Sequence, residues 1–366
     1  MAPAARRPRG PVLGLRALAP APALRRGLPR AAPHQSSAHH PLHPASLGGA
    51  RRRSTPMSTV PASPSVTTVI ATHGRGELLR RAIRSIAAQE YDGPLEILVV
   101  FDQSEIDPLE DLRAELPAGP TIALHENTRA AGLAGARNTG IAAAEGALVA
   151  FCDDDDEWAP GKLAAQVALW DERPEAAVIA AGITIVTVDG SIDRRPPMLT
   201  TRTDLLRSRV GELHPSSFLF RRADLLSLPG GVDEEIPFGY GEDYDFLLRI
   251  TELGPVASVP EELVIVHWDR TSYFAGRWER MAQGLSYLVT KHPGLLQDSR
   301  NAARMCGQVA FALAAAGEYA EARSWTRRTL RHRPLEPRAW LAMLTMTRLV
   351  TPQQTIAALN RRGRGI

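Results

Sequence analysis

The chain has 366 residues with an ordinary globular composition, 44% apolar, 5% aromatic and 23% charged, so there is room for one large domain plus a smaller one. Two cysteines, Cys152 and Cys306, are too few for a disulfide framework or a cysteine zinc site and point to a reducing cytoplasm. The net charge of +3 is misleading: residues 1–56 hold ten arginines and no acid, which leaves the remainder near −7, with no basic stripe of the kind that grips nucleic acid.

Residues 1–64 are rich in Ala, Pro, Arg and His and offer too little apolar surface to offset the entropy of ordering. Three readings of this arm stand open. It is an Arg-rich transit peptide, a disordered arm drawn to anionic lipid, or the product of a start assigned too early, with Met57 as the first residue. The chain has only two lysines, Lys162 and Lys291, and such a bias toward arginine fits GC-rich bacterial coding. No apolar run reaches the roughly 20 residues of a membrane span, so the body is expected to be soluble or at most peripheral to a membrane.

From Val66 the pattern alternates between strand and helix. Val66–Ala71 reads as a strand, followed by the loop Thr72-His-Gly-Arg75 and a helix over Glu77–Gln89 with Leu78, Leu79, Ala82, Ile83 and Ile86 at helical spacing. Leu95–Phe101 is a second strand ending at Asp102, a short helix spans Leu109–Leu116, and Thr121–Leu124 is a third strand. Gly132-Leu-Ala-Gly-Ala-Arg137-Asn138-Thr-Gly140 opens a further helix that ends near Gly146. The apolar run Leu148–Cys152 then leads into four carboxylates, Asp153–Asp156. Pro160 is placed in the first turn of a helix over Lys162–Trp170. This order predicts a largely parallel sheet with helices on both faces.

Glu175–Asp189 supplies one or two more strands, with Asp189-Gly190 as a hairpin turn. Leu213–Phe220, holding His214, Ser216 and Ser217, reads as a strand beside the cleft. Gly241-Glu242-Asp243 starts a helix whose acids suit its dipole. Val256–Val266 is a last strand, followed by His267-Trp-Asp-Arg270, and from Arg277 on the pattern is helical. Ala310–Leu330 looks like a single tetratricopeptide-style hairpin.

The acidic run lies after a strand, where open α/β sheets place ligands. Four adjacent carboxylates repel, and a hard divalent cation would neutralise them. The alternative is a solvated turn capping the next helix.

Taken in order, these motifs resemble the family-2 glycosyltransferases with the GT-A fold. The resemblance runs from about Ser65 to Arg270. It rests on Val69-Ile-Ala-Thr72 with Arg75, Val99-Val-Phe-Asp102, Gly132–Gly140, Asp153-Asp154-Asp155-Asp156 with Trp158, and Gly241-Glu242-Asp243. It implies an α/β fold with a GT-A type, mostly parallel sheet flanked by helices over residues 65–274, and a C-terminal helical extension over 275–366. The implied activity is metal-dependent, inverting transfer of a sugar from a UDP-, GDP- or dTDP-sugar to a hydroxyl acceptor, lipid-linked or of the cell envelope, or a small natural product.

By that resemblance Thr72, His73, Arg75, Asp102, Arg137, Asn138, Asp153 and Asp154 meet the donor. Asp153, Asp155 and His267 hold Mg²⁺ or Mn²⁺, and Asp243 with Glu242 supplies the catalytic base. His214 with Ser216 and Ser217 is expected to line the acceptor side. Phe101 stands where the family often has a first aspartate. Two other classes compete: a nucleotidyltransferase, which usually carries a glycine-rich phosphate loop longer than Gly74-Arg75-Gly76, and a catalytically inactive nucleotide-sugar-binding protein, against which the retained acids speak.

Overall fold

Two runs with alternating inward faces, Val66–Thr72 (β1) and Leu95–Phe101 (β2), pair in parallel near one edge of the sheet. In β2, Leu98 and Val100 face one hydrophobic cluster while Ile97, Val99 and Phe101 face another. Both faces of the sheet are therefore covered, as a parallel sheet requires. The structure is a computed structural model, described over residues 63–117, 119–268 and 276–355. All of these belong to the second of the two units into which the chain divides, Thr59–Ile366. The N-terminal arm, Asp269-Arg270 and the final residues from 356 lie outside the described residues.

Between β1 and β2 runs helix α1, Gly76–Ala87, and after β2 come α2, Glu110–Glu115, and β3, Thr121–Glu126. Helix α3, Leu133–Ala143, leads into β4, Leu148–Asp153. Then follow β5, Glu157–Trp158; α4, Lys162–Glu172; β6, Val178–Thr187; β7, Gly190–Arg194; and β8, Leu199–Thr200. The second half holds α5, Arg202–Arg207; β9, Leu219–Arg221; α6, Arg222–Ser227; α7, Glu242–Ile250; and β10, Val256–His267. Helices α8, Trp278–Lys291; α9, Ser299–Ala316; α10, Tyr319–His332; and α11, Pro337–Met346 complete it.

The sheet order is β3-β2-β1-β4-β9-β6-β10-β5, with β7 on β6 and β8 on β10. Strands β3, β2, β1 and β4 are parallel, β9 runs against both its neighbours, and β6 and β10 are parallel to each other. Register aligns the carboxyl ends: Thr72 pairs with Phe101 and Ala71 with Asp153. The loops after β1, β2 and β4 therefore open on one edge, where α/β sheets bind ligands. Close packing of α3 on β1 needs a glycine, because a Cβ on Gly140 would lie 2.3 Å from Val69 Cγ1.

Two expectations need correction. Leu213–Phe220 is not one strand: His214 precedes a 3₁₀ turn at Pro215–Ser217, and strand pairing begins only at Leu219. Pro215 fixes φ and has no N–H to give a ladder. Pro160 lies outside α4, because Gly161 at φ 76° is the cap. The acidic loop also returns to the sheet through β5, which pairs antiparallel with β10. The helical hairpin is present: Gly317, left-handed at φ 87°, ends α9 before α10.

Candidate active site

The four carboxylates alternate in direction. Asp153 and Asp155 keep side chains 26% and 31% exposed, while Asp154 and Asp156 are buried at 7% and 3%. The inward pair is held by hydroxyls: Thr72 Oγ1 donates to Asp154 Oδ2 at 2.7 Å, and Ser216 Oγ donates to Asp156 Oδ2 at 2.5 Å. Ser216 Oγ also accepts from the Asp153 backbone N–H at 3.0 Å. Burial raises the pKa of both Asp154 and Asp156, the latter well above the usual carboxylate range. Burial also acts upward on Asp153, but the Arg137 guanidinium, with His214 and Arg75, outweighs it and leaves Asp153 lowered.

Arg75 reaches over the loop after β1 and donates to Asp154 at 3.0 Å and to Asp155 at 2.7 Å. Arg81, on α1, donates to the Asp155 carbonyl at 2.8 Å. His73 is exposed, and its Nδ1 donates to the Asp102 carbonyl at 2.6 Å. The Asp102 carboxylate accepts from Asn127 Nδ2 at 2.8 Å and from the Gly132 N–H at 3.0 Å, and so ties β2 to the start of α3. Asn138 binds the Val232 N–H and C=O and Glu234 at 2.8, 2.7 and 2.6 Å, which makes it a positioning residue for the 230–234 loop.

Across the cleft, Gly241 at φ 85° caps α7 and puts Glu242 and Asp243 in its first turn. Arg137 is 4% exposed and joins the two halves, at 2.6 Å from Asp153 Oδ1 and 2.5 Å from Glu242 Oε1. Glu242 Oε2 is buried without a partner. Burial, with Asp243 and Asp153 adding to it against Arg137, pushes the Glu242 carboxyl up to about 7. Asp243 is paired at 2.5 Å with Arg209, from the loop after α5. Arg137, Phe151, Glu242, Asp243 and Phe246 line a small cavity beside this helix start.

The residues named for a metal do not all converge. His267 Nε2 lies 2.7 Å from Glu157 Oε1, across the β5–β10 pair. Ligand atoms of Asp153, Asp156 and His214 lie within 4.8 Å of one another, and burial lowers the His214 pKa toward the neutral, ligating form. The carboxylates of Asp153 and Asp155 supply partly exposed oxygens, the donor type that Mg²⁺ and Mn²⁺ prefer. The donor set fits such an ion. Arg209 and Asn127 were missed by sequence reasoning. Arg209 lies in a stretch with no motif, and Asn127 finds Asp102 only through the pairing of β2 with β3.

An α/β sheet whose carboxyl edge carries this acidic loop, facing a second acidic pair on a separate helix, is the layout of a glycosyltransferase. Residues 67–227 match the family model described as Glycosyl transferase family 2. The succinoglycan biosynthesis protein ExoO of Rhizobium meliloti is 35% identical over 35% of each chain, so that match spans about a third of the relative's length. The putative colanic acid biosynthesis glycosyl transferase WcaA of Escherichia coli is 32% identical over 56% of this chain and 73% of its own. The chain belongs to family 2 of the glycosyltransferases.

Solved structures agree on the fold. Residues 1–349 of TarS from S. aureus, in complex with UDP-GlcNAc, align over 82% of this chain and 92% of that one, at 17% identity and TM-score 0.52. The mannosyltransferase PcManGT of Pyrobaculum calidifontis, in complex with GDP-Man and Mn2+, aligns over 78% and 87%, at 20% identity and TM-score 0.50. These neighbours are GT-A glycosyltransferases, and this chain has their mostly parallel sheet flanked by helices, with helices at the C-terminal end. Among the described residues, no helix is long and apolar enough to cross a membrane.

Proposed function

We propose that this glycosyltransferase moves a sugar from a nucleoside diphosphate to an acceptor hydroxyl by direct displacement, with inversion at the anomeric carbon. The observation that carries this reading is Arg137, one buried guanidinium bound to both Asp153 and Glu242. It sets the acidic loop and the start of α7 on opposite sides of one cleft, as in-line transfer needs.

The donor's base and phosphates lie along the carboxyl edge of the sheet, against Thr72, His73, Arg75 and Asp102. Arg75 and Arg137 supply positive charge there, and Asp154, locked by Thr72, positions Arg75. Asp153 and Asp155 are the proposed holders of Mg²⁺ or Mn²⁺, whose chemistry is to neutralise charge on the leaving diphosphate. His267, paired with Glu157, steadies the acidic loop from behind. Asp243 accepts the proton of the acceptor hydroxyl as its oxygen bonds to the anomeric carbon and the bond to the diphosphate breaks. Glu242, held by Arg137, positions Asp243. The two solved neighbours, one with UDP-GlcNAc and one with GDP-Man and Mn2+, support a nucleotide sugar and leave both nucleotides as candidates.

The test is nucleotide release from a panel of UDP-, GDP- and dTDP-sugars with Mn²⁺ and with EDTA. Slow hydrolysis that needs metal and vanishes in Asp155→Ala supports the donor site. Activity undiminished by EDTA overturns the metal assignment. Transfer that survives in Asp243→Asn overturns the base.

A further inference from the structure

Beyond residue 56, charge is divided along the chain. Residues 57–318 carry 38 acids and 23 basic groups, a net −15, whereas residues 319–355 carry seven arginines and two glutamates, a net +5. Several exposed arginines of the earlier part are spent on acids: Arg84 meets Glu115, Arg129 meets Glu234, and Arg195 meets Glu262. On α10 they are not. Arg323, Arg327 and Arg331 are exposed in one row at four-residue spacing, and none has an ion pair among the described residues.

Helices α10 and α11 pack side by side on α9. Their small residues are the buried ones, Ala322, Thr326 and Thr329 on α10 and Ala339, Ala342 and Thr345 on α11. A Cβ on Gly307 of α9 would lie 2.8 Å from Arg338 Cβ and 3.5 Å from Thr329 Cγ2, so both helices rest on the same stretch of α9. Their far sides form one outer face. There Trp340 is 55% and Leu344 40% exposed, four residues apart, with Leu335, 83% exposed, in the turn between the helices. The Trp340 indole N–H donates to the Pro334 carbonyl at 3.1 Å, which holds the ring against that turn, where the arginine row also ends. A merely solvated face would mix the signs of its charges, because arginines four apart repel one another. Nor does solvation call for an exposed strip of Trp and Leu.

We propose that this face docks on the surface of an anionic phospholipid bilayer. The guanidinia meet lipid phosphates, and Leu335, Trp340 and Leu344 enter the boundary between headgroups and acyl chains, where tryptophan is favoured. Charge complementarity sets the orientation, since the acidic remainder is repelled by the same surface and turns away from it. A nucleic acid would match the arginines but offers no apolar layer for Leu335 and Leu344. A second copy related by a two-fold axis would set arginine row against arginine row. The inference goes beyond sugar transfer and stands independently of the donor and base assignments.

The test sediments the full chain with vesicles of phosphatidylcholine alone and of phosphatidylcholine and phosphatidylglycerol in equal parts. Every variant keeps the ten arginines of residues 1–56, so the readout is the difference between variants. The parent should bind the anionic vesicles far better than the neutral ones, with binding falling as salt rises. Arg327→Gln should weaken it about fivefold. The triple variant Arg323→Gln, Arg327→Gln, Arg331→Gln should weaken it on the order of a hundredfold, since each charge near the surface contributes separately. Arg327→Lys should bind like the parent. Acyl chains brominated near the headgroup should quench tryptophan fluorescence, and Trp340→Phe should lose part of that quenching while still binding. An unchanged thermal midpoint shows that each variant is folded, and the exposed single variant Arg327→Gln keeps the test decisive should the triple one fail. Equal binding to both vesicles, undiminished binding of the arginine variants, equal quenching in Trp340→Phe, or tighter binding of duplex DNA than of anionic vesicles overturns the proposal. So does a lipid-free dimer that Trp340→Ser dissociates, which would give the face to a second copy.

Discussion

Asp153 and Glu242 share one buried guanidinium: Arg137 lies 2.6 Å from the first and 2.5 Å from the second. Its ring neighbour Phe151, 5.3 Å from the guanidinium carbon, closes the apolar side. Removing the cation leaves the buried Glu242 and the partly exposed Asp153 facing each other without compensation. Arg137→Met should cost about 3–5 kcal/mol of stability, the usual penalty for breaking a buried ion pair. Arg137→Lys keeps a charge but has one ammonium where two carboxylates need a fork, so it should fall between. Urea unfolding of the three proteins checks the order; a Met variant as stable as the parent would show that the bridge does not hold the cleft.

Ser216 joins the acidic loop to the 3₁₀ turn, accepting from the Asp153 N–H and donating to Asp156. The Trp158 indole N–H donates to its carbonyl at 2.9 Å. Ser216→Ala removes the hydroxyl but keeps the backbone, so Asp156 loses a buried donor and Asp153 loses its backbone partner. A destabilisation of about 1–3 kcal/mol is expected. Mn²⁺ affinity, read by the ion's paramagnetic relaxation, should drop together with donor hydrolysis. Unchanged Mn²⁺ binding would separate Ser216 from the proposed metal site.

How far the sequence foretold this arrangement depends on the kind of signal. Strands such as Leu95–Phe101 and the run into Asp153 were legible because burial on both faces demands a continuous apolar segment. The candidate residues were legible as types at strand ends, and the register of β1, β2 and β4 does align those ends. Their partners were not. Nothing local says that Asp102 is spent on Asn127 and Gly132, or that Arg209 meets Asp243. Such pairs join residues far apart in the chain and arise only from packing. The 3₁₀ turn at Pro215–Ser217 was missed because its apolar flanks, Leu213 and Phe218–Phe220, imitate a strand. Pro215 was the one local warning.

Lys162 is entirely enclosed, with Nζ 2.8 Å from Gln166 Oε1 and 3.7 Å from the centre of the Trp158 ring. Burial pulls its pKa down from 10.5 to about 7. The folded value lies below the unfolded one, so the stability linked to this group is complete above 10.5 and lost as pH falls toward 7. Between those limits stability should rise with pH by up to about 1.4 kcal/mol per unit from this residue. Lys162→Met should flatten that slope and gain most over the parent near pH 6. Parallel curves for the two proteins between pH 7 and 10 would show that the lysine stays charged, held by the face of Trp158.

Asp245 links helix α7, which carries Asp243, to the helices that follow the sheet. It has no exposed surface and lies 2.7 Å from Lys291, 2.7 Å from His292 and 2.8 Å from Arg249. Burial acts to raise its pKa, but His292, Lys291 and Arg249 together bring it down to about 2. For a carboxylate lowered in this way, the linked stability is present above its unfolded value near 4 and lost as pH falls through about 2. Asp245→Asn takes the buried carboxylate away from Lys291 and Arg249 and should cost about 3 kcal/mol at pH 7, with the difference from the parent shrinking toward pH 2. Because α7 is anchored here, the proposed role of Asp243 as the base predicts that the variant lowers transfer more than it lowers donor hydrolysis. Equal losses in both activities would mean that the anchor serves the whole fold rather than the base.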